Sequence, residues 1–413
     1  MNLSVQADQL WRQLEQLATY SDAPAPAVTR IVFSEQDLLA RAYVKQLCRD
    51  AGLVVREDSV GNTFARWIGD DPELPAVATG SHIDAIPSAG RFDGTVGVLG
   101  GLEAIRALRR ANYRPKRSIE LLVFTSEEPT RFGVGCLGSR LMSGALDAGC
   151  GTQLRDRSDQ SLDEVRTASG FAGPLETVRL PINHYAAFVE LHIEQGPLLE
   201  RARVPVGIVT GIAAPASLRV SIEGEGGHAG AVLMPGRRDA FCAAAEIALG
   251  VEAAAKSSGS SDTVATVGTC DVFPGAVNSI PSLVRLDIDV RDVDGARRDA
   301  VLAAITQTGS DVAARRRVAV NVQIVNKDAP AACNAAIVET ITKACEAQGI
   351  ASRTMVSRAY HDSLFMAQIA PTAMLFIPCR SGISHRPDEY ASPEDIARGT
   401  LVLAEALGSL AQS

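Results

Sequence analysis

Residues 80–97 read GSHIDAIPSAGRFDGTVG, and this stretch decides the expected fold. The apolar run that leads into it, from Pro75, ends in polar residues, as a buried strand does. The small and apolar residues after Asp93 are expected to form a helix that packs through its small side chains. A strand that leads into a helix is the unit from which α/β sheets are built.

Two further apolar runs extend this pattern along the chain. Residues 119–128 (IELLVFTSEE) and 186–196 (AAFVELHIEQG) are both predicted to be buried strands with charged residues near their carboxyl ends. A hairpin is expected around Val60 and Gly61, and the apolar spacing of residues 35–53 predicts a helix. We therefore predict an α/β sheet whose ligand site lies at the carboxyl ends of its strands.

The composition limits the class of protein. Hydrophobic residues make up 46% and charged residues 21% of the 413 residues, which is typical of a globular chain. A net charge of −8 argues against a nucleic-acid partner. No run of about 18 apolar residues exists, so we expect no membrane span. The chain start has no signal-like segment and the cysteines form no Cys-x-x-Cys pair, which favours the cytoplasm.

The opening stretch holds a first candidate ligand group. His82 and Asp84 lie two residues apart at a strand end and can face the same way. A carboxylate beside a histidine can fix the tautomer of a metal-bound imidazole. Asp93 lies between two glycines at the start of the helix, where it could equally be an ordinary helix cap.

Two adjacent acids, Glu127 and Glu128, follow the second strand in FTSEEPTRFG. A solvated loop is one interpretation. However, like charges at the end of an apolar strand repel each other unless something positive binds them. A metal ion would hold one of them as a ligand and leave its neighbour free to act as a base.

Two more histidines occupy comparable places. His192 lies in ELHIEQG on the same strand face as Glu190 and Glu194, and His385 lies in a Gly/Ser loop after a buried strand. The motifs together supply five candidate metal ligands without a thiolate: His82, Asp93, Glu128, His192 and His385. This mixture suits zinc, cobalt or manganese, and the absence of cysteine favours manganese. No serine-hydrolase elbow, P-loop or His-Glu-x-x-His motif is present.

These blocks, in this order and spacing, resemble the dimetal amidohydrolases of the M20 metallopeptidase superfamily. They are most similar to the branch that contains allantoate amidohydrolase, N-carbamoyl-L-amino-acid hydrolase and ureidoglycolate amidohydrolase. The resemblance covers nearly the whole chain and is carried by FTSEEPTRFG, ELHIEQGPLLE, AAPASL, GGHAGAVLMP, PGAVNSIPS, SRAYHDSLFMA and FIPC…SHRPDEYASPED. Within the branch, the pair Tyr360-His361 favours the members that hydrolyse ureidoglycolate.

The resemblance implies a role for each candidate residue. One divalent ion would be held by His82 and His192 and the other by Glu128 and His385, with Asp93 bridging them. Glu127 would be the general base, and Asp84 would orient His82. The ions implied are manganese, with zinc or cobalt as alternatives.

The resemblance also implies a split domain organisation. A catalytic domain of residues 1–212 and 329–413, with a mixed sheet flanked by helices, would be interrupted by an α+β lid and dimerisation domain of residues 213–328. Independent support comes from period-two alternation in the middle segment, typical of an antiparallel sheet, and from an Ala-rich helix predicted over residues 238–255. If His385 and Asp93 belong to one site, the chain must come back to the first domain after the middle segment. The middle segment is therefore expected to be an insertion.

The remaining implied roles concern the substrate and the partner subunit. In a homodimer, His228 and Asn278 would reach into the partner's site, where His228 stabilises an oxyanion. Arg291 would hold a substrate carboxylate, although its acidic neighbours make a structural ion pair an alternative. Gln195 would contact the ureido group. The substrate's hydroxyl and carboxylate end is assigned to three residues: Asn278, Tyr360 and His361.

The implied reaction is metal-dependent hydrolysis of (S)-ureidoglycolate to glyoxylate, ammonia and carbon dioxide in purine catabolism. Allantoate and N-carbamoyl amino acids, including the β-alanine derivative, are the alternative substrates. An M20 peptidase is less well supported, because peptidase relatives usually carry an acid at the position of the histidine in ELHIEQG. A binding protein without activity is disfavoured, because all ligands and the base are present.

Overall fold

The computed structural model describes residues 2–413. Its chain forms two compact units. The first unit comprises the chain up to Thr210 together with Ala332–Met355 and His361–Ser413, and the second comprises Gly211–Ala331 and Val356–Tyr360. Over the described residues, no helix combines the length and apolar character that crossing a bilayer requires.

Strands and helices alternate through most of the chain. The strands are β1 (Val28–Arg30), β2 (Val54–Glu57), β3 (Thr63–Trp67), β4 (Ala76–His82), β5 (Ala85–Ala89), β6 (Ile119–Phe124), β7 (Tyr185–Ile193), β8 (Val206–Ile212), β9 (Ala214–Glu223), β10 (Gly227–His228), β11 (Val264–Phe273), β12 (Ser279–Ile280), β13 (Leu283–Asp292), β14 (Ala319–Lys327), β15 (Ala331–Ala332), β16 (Ser352–Ser357) and β17 (Thr372–Ile377). The helices are α1 (Ala7–Ala18), α2 (Glu35–Asp50), α3 (Thr95–Arg110), α4 (Leu137–Ser143), α5 (Cys150–Gln153), α6 (Leu162–Ala168), α7 (Leu198–Ala202), α8 (Ala240–Lys256), α9 (Gly295–Arg316), α10 (Ala335–Ala347), α11 (Asp362–Met366) and α12 (Pro393–Leu410).

The main sheet is mixed and has nine strands. Eight of them follow the order β15-β8-β17-β7-β4-β6-β3-β2, and β16 also pairs with β8. The central strands β17, β7, β4 and β6 run parallel to one another. The flanking pairs β17–β8, β6–β3 and β3–β2 are antiparallel. The predicted α/β fold with a mixed sheet is therefore confirmed.

The buried strands and helix α3 explain how this sheet is covered. Every residue of β4 and β6 is buried, as expected for strands covered on both faces. Helix α3 packs closely because glycines face the sheet. A Cβ atom built on Gly97 would lie 2.4 Å from the carbonyl oxygen of Leu191 in β7. The predicted helix packed through small residues is therefore confirmed.

The second unit contains a four-stranded antiparallel sheet in the order β11-β13-β9-β14. Alternate residues of β9 and β13 are buried and form a core with apolar residues of helices α8 and α9, including Leu218, Val220, Leu286, Ile247 and Ile305. The predicted Ala-rich helix corresponds to α8, which begins after the cap residue Asp239. The lid and dimerisation role given to this segment stays a prediction.

Candidate active site

The carboxyl ends of the four parallel strands bring the candidate ligands to one edge of the sheet. His82 is the last residue of β4, and His192 lies one residue before the end of β7. Glu127 and Glu128 follow β6, and His385 lies in the loop after β17. Because these strands are adjacent and parallel, their following loops converge.

Asp93 lies at the centre of this group. Its Oδ1 atom is 3.1 Å from Nε2 of His192 and 3.6 Å from Nε2 of His82. Its Oδ2 atom is 3.2 Å from Nε2 of His385, whose Nε2 is also 3.3 Å from Oε1 of Glu128. One carboxylate therefore contacts histidines on both of its oxygens.

Three groups of side chains in the described residues could each hold a metal ion: one consists of Glu190, His192 and His361, and the other two contain Asp93. His82, Asp93 and His192 form one group, and Asp93, Glu128 and His385 form the other, with the ligand atoms of each group within 4.8 Å of one another. Asp93 belongs to both groups. Imidazole and carboxylate donors without a thiolate suit zinc, cobalt or manganese. The residues present therefore fit a pair of divalent ions that share one carboxylate.

Unusual backbone conformations hold two of these positions. Gly94 has φ of 67°, and a Cβ atom built there would lie 2.5 Å from Nε2 of His82. This close approach explains why glycine follows Asp93. His385 has φ of 59°, in the left-handed region that few side chains adopt.

Asp84 organises the pair of glutamates. Its carboxylate accepts hydrogen bonds from the backbone N–H groups of Glu127, at 3.2 Å, and Glu128, at 3.0 Å. Nδ1 of His82 lies 3.1 Å from the backbone oxygen of Asp84 and 3.6 Å from its carboxylate. The closer contact to the imidazole therefore comes from the Asp84 backbone, whereas its side chain fixes the loop after β6.

The glutamates and histidines are strongly perturbed electrostatically. Burial raises the pKa of Glu127 well above its usual range and that of Glu128 to about 7. Burial alone would also raise the pKa of Asp93, but hydrogen bonds from His192 and His385 hold it well below its usual range. The hydrogen bond to Asp93 raises the pKa of His385 to about 9. A dense group of buried carboxyl and imidazole groups favours binding of positive charge.

The candidate base Glu127 lies beside the first ligand group. Its Oε2 atom is 3.8 Å from Nε2 of His82. The thiol of Cys136 donates to its Oε1 atom at 3.6 Å, a contact that sequence reasoning missed. The sequence gives no signal for it, because Cys136 belongs to no recognisable motif.

Gln195 and His361 also lie in this cluster. Nε2 of Gln195 donates to Oδ2 of Asp93 at 2.7 Å, and the buried Oε1 atom of Gln195 has no hydrogen-bond partner. The imidazole rings of His361 and His192 have centroids 4.5 Å apart. Asp362, which sequence reasoning also missed, is buried next to His361 and accepts from the hydroxyl of Ser139 at 2.5 Å.

The other predicted substrate residues belong to the second unit and form two pairs. His228 is exposed, and the backbone oxygen of Asn278 accepts from the N–H of the residue that follows His228, at 2.9 Å. Arg291 donates to Asp289 at 2.7 Å, and its guanidinium lies 5.9 Å from the ring centroid of Tyr360. Arg291 therefore forms an ion pair with its acidic neighbour Asp289, which is the alternative role predicted from the sequence.

Residues 78–409 match the profile of peptidase family M20/M25/M40. The chain is 51% identical to ureidoglycolate hydrolase of Arabidopsis thaliana, an alignment that covers 99% of this chain and 87% of the relative. It is 37% identical to N-carbamoyl-L-amino acid amidohydrolase of Geobacillus stearothermophilus, with 99% of both chains covered. A solved structure of AtUAH in complex with (S)-hydroxyglycine superimposes with a TM-score of 0.90, at 51% identity, covering 99% of this chain and 98% of that chain.

Proposed function

Because this chain belongs to peptidase family M20/M25/M40, we propose that it is a dimetal amidohydrolase that hydrolyses (S)-ureidoglycolate. The observation that carries the proposal is the pair of ligand groups that share Asp93, with the carboxylate of Glu127 beside them. The 51% identity to a ureidoglycolate hydrolase over nearly the whole chain supports the choice of substrate.

The five clustered ligands divide between two ions in this proposal. His82 and His192 would hold one ion, Glu128 and His385 would hold the other, and Asp93 would contribute to both. We favour manganese over zinc or cobalt because no thiolate lies among the donors. When bound, the ions supply Lewis acidity, which polarises a carbonyl group and lowers the pKa of water.

Glu127 carries the proton transfers of the reaction. Its carboxylate takes a proton from the attacking water and delivers it to the leaving nitrogen of the ureido group. Asp84 keeps this carboxylate in place through its hydrogen bonds to the backbone of Glu127 and Glu128. One water is consumed, and the products are ammonia, carbon dioxide and hydroxyglycine, which then decays to glyoxylate and a second ammonia.

The substrate's two ends are held by different residues. The unpartnered Oε1 atom of Gln195 is an acceptor suited to the NH₂ group of a ureido substrate. Arg291 binds the substrate carboxylate through a bidentate contact. To do so, its guanidinium leaves the ion pair with Asp289 that it forms in this structure. Tyr360 and His361, together with Asn278, contact the hydroxyl and carboxylate end.

We further propose that the active unit is a homodimer in which His228 and Asn278 complete the partner's site. His228 would then stabilise the developing oxyanion. Exposed apolar side chains near both residues, Leu233, Met234 and Val277, fit a surface that another copy covers. The eight cysteines are all free thiols, which fits the cytoplasmic location that we also propose.

A second candidate substrate class is N-carbamoyl-L-amino acids. The 37% identity to the Geobacillus stearothermophilus enzyme over nearly all of both chains favours this class over a peptide substrate. Allantoate is a third ureido compound of similar chemistry. Each candidate carries a carboxylate and a ureido group, so the substrate choice depends on the residues at the hydroxyl end.

The experiment is turnover of the manganese-reloaded protein on ureidoglycolate, allantoate and N-carbamoyl-β-alanine after chelation. We expect the highest kcat/KM on ureidoglycolate, with two ammonia released per glyoxylate. Glu127→Gln should keep the bound metal and lose roughly 10²- to 10⁴-fold in kcat. A preference for allantoate or the carbamoyl compound would overturn the substrate, and full activity of Glu127→Gln would overturn the base.

A further inference from the structure

Glu389 is a buried acid in the same loop as His385, and it belongs to neither ligand group. It is 4% exposed. Its Oε1 atom accepts hydrogen bonds from the backbone N–H groups of Phe92, at 2.8 Å, and Asp93, at 3.2 Å. One carboxylate oxygen therefore fixes the backbone from which the Asp93 side chain extends.

The second oxygen of Glu389 reaches the Asp93 side chain through Ser384. The hydroxyl of Ser384 lies 2.8 Å from Oε2 of Glu389 and 3.0 Å from Oδ2 of Asp93. Oδ2 of Asp93 also accepts from Nε2 of Gln195. Glu389 thus contacts Asp93 at both its backbone and, through one hydroxyl, its carboxylate.

The space around Glu389 is closely fitted. A Cβ atom built on Gly90 would lie 2.3 Å from both Cβ and Oε1 of Glu389. Glycine at this position therefore lets the side chain lie against the loop before Asp93. An acid that is buried, hydrogen-bonded at both oxygens and enclosed in this way has one well-defined orientation.

We propose that Glu389 is a positioning residue that sets the orientation of Asp93, the ligand common to both groups. The inference rests on the proposed dimetal site. Because Asp93 belongs to both groups, loss of Glu389 should weaken both ions together, whereas loss of a ligand specific to one group should weaken one ion more than the other. Removing a partner that orients a ligand typically weakens metal binding roughly 10- to 100-fold.

The test measures manganese affinity by competition with a chelating dye, for both equivalents, in the full-length protein. We expect Glu389→Ala to weaken both equivalents by roughly 10- to 100-fold. Glu389→Gln keeps an acceptor oxygen for the two backbone N–H groups, so it should restore much of the affinity. The matched control is Glu120→Gln. Glu120 is a buried acid in β6 whose carboxylate accepts a hydrogen bond from the hydroxyl of Tyr185 at 2.7 Å, away from the ligand groups. This variant should bind manganese like the wild type.

Each outcome has a distinct meaning. If the wild type binds fewer than two equivalents, the proposed dimetal function fails. If it binds two and Glu389→Ala binds both equally well, the positioning inference alone is wrong. Should Glu389→Ala not fold, Ser384→Ala carries the test. It removes the hydroxyl that contacts Glu389, Asp93 and Gln195, and it should also weaken both ions, whereas unchanged affinity would contradict the inference.

Discussion

Asp93 shows how one side chain can couple two binding sites. Three imidazole groups lie within 3.6 Å of its carboxylate, and its backbone N–H is held by Glu389. A shift of this residue therefore changes both ligand groups at once. For this reason, metal affinity reports the geometry of the ligand groups more directly than enzymatic activity does.

The pH dependence of metal binding follows from two neighbours of Asp93. Burial raises the pKa of Glu128 to about 7, and the hydrogen bond to Asp93 raises that of His385 to about 9. Both groups must lose a proton before they can bind a metal. We expect manganese affinity to rise from pH 6 to pH 9.

Calorimetric titrations in buffers of different ionisation enthalpy measure this effect directly. Proton release on manganese binding should be largest near pH 6 and should fall as the pH rises to 9. His385→Ala should release fewer protons between pH 7 and pH 9 than the wild type. Binding that is independent of pH, with no proton release, would contradict the assignment of Glu128 and His385 as ligands.

At this scale the sequence predicts residue types but not all of their contacts. The five proposed ligands could be selected because each is a His, Asp or Glu at or after the end of a predicted strand or at a helix start. Cys136 could not be selected in this way, because a lone cysteine has no local pattern. Glu389 lies in the SHRPDEYASPED block beside His385, but nothing in the sequence places it against Asp93. Their contacts with Glu127 and Asp93 depend on loops that converge only in the folded chain.

The elements of the first unit were predicted where their patterns are strong. The fully buried strands β4 and β6 and the hairpin β2–β3 are confirmed, because long apolar runs and turn residues mark them. The short pair β1–β5 of this unit and the two-residue strands β10 and β12 of the second unit were not predicted. Segments this short carry no periodicity, so their pairing depends on tertiary contacts.

Helix α3 provides a prediction at the scale of an element. Gly97→Ala would place a methyl group 2.4 Å from the carbonyl oxygen of Leu191. Because this oxygen belongs to the backbone of β7, the clash can be relieved only if helix α3 or the strand shifts. Overpacking costs roughly 1–3 kcal/mol, whereas the better helix propensity of alanine returns at most about 1 kcal/mol. We therefore expect a lower melting temperature and, because α3 begins just after Asp93, weaker manganese binding.

Gly309→Ala in helix α9 is the matched control. A Cβ atom built there would meet its nearest neighbour, Val320, at 3.4 Å, which is an ordinary contact. The substitution should leave stability unchanged or raise it by up to about 1 kcal/mol. Differential scanning calorimetry compares the two variants, and equal stability of Gly97→Ala and wild type would show that α3 does not approach β7 this closely.

At the scale of the whole molecule, the second unit includes a segment that sequence reasoning placed elsewhere. Residues 356–360 lie outside the predicted lid boundaries of 213–328 but cluster with this unit. The reason is local: the backbone oxygen of Ser357 accepts from Ala213 at 2.8 Å, and Arg358 pairs with Asp262 at 2.5 Å. Tyr360 and Arg291 therefore belong to the same unit. A sequence pattern cannot reveal such a return, because it involves only five residues.

Exchange of subunits tests whether the second unit completes a partner's site. Glu127→Gln and His228→Ala should each be nearly inactive alone. In a hybrid of the two, the chain that keeps Glu127 would receive His228 from its partner, so one of the two sites would be intact. For a symmetric dimer, equal mixing gives half hybrids and hence about a quarter of the wild-type activity. Mixing Glu127→Gln with His192→Ala should restore nothing, because both changes lie in the first unit. If the first mixture also stays inactive after its subunits have exchanged, His228 does not act in the partner's site.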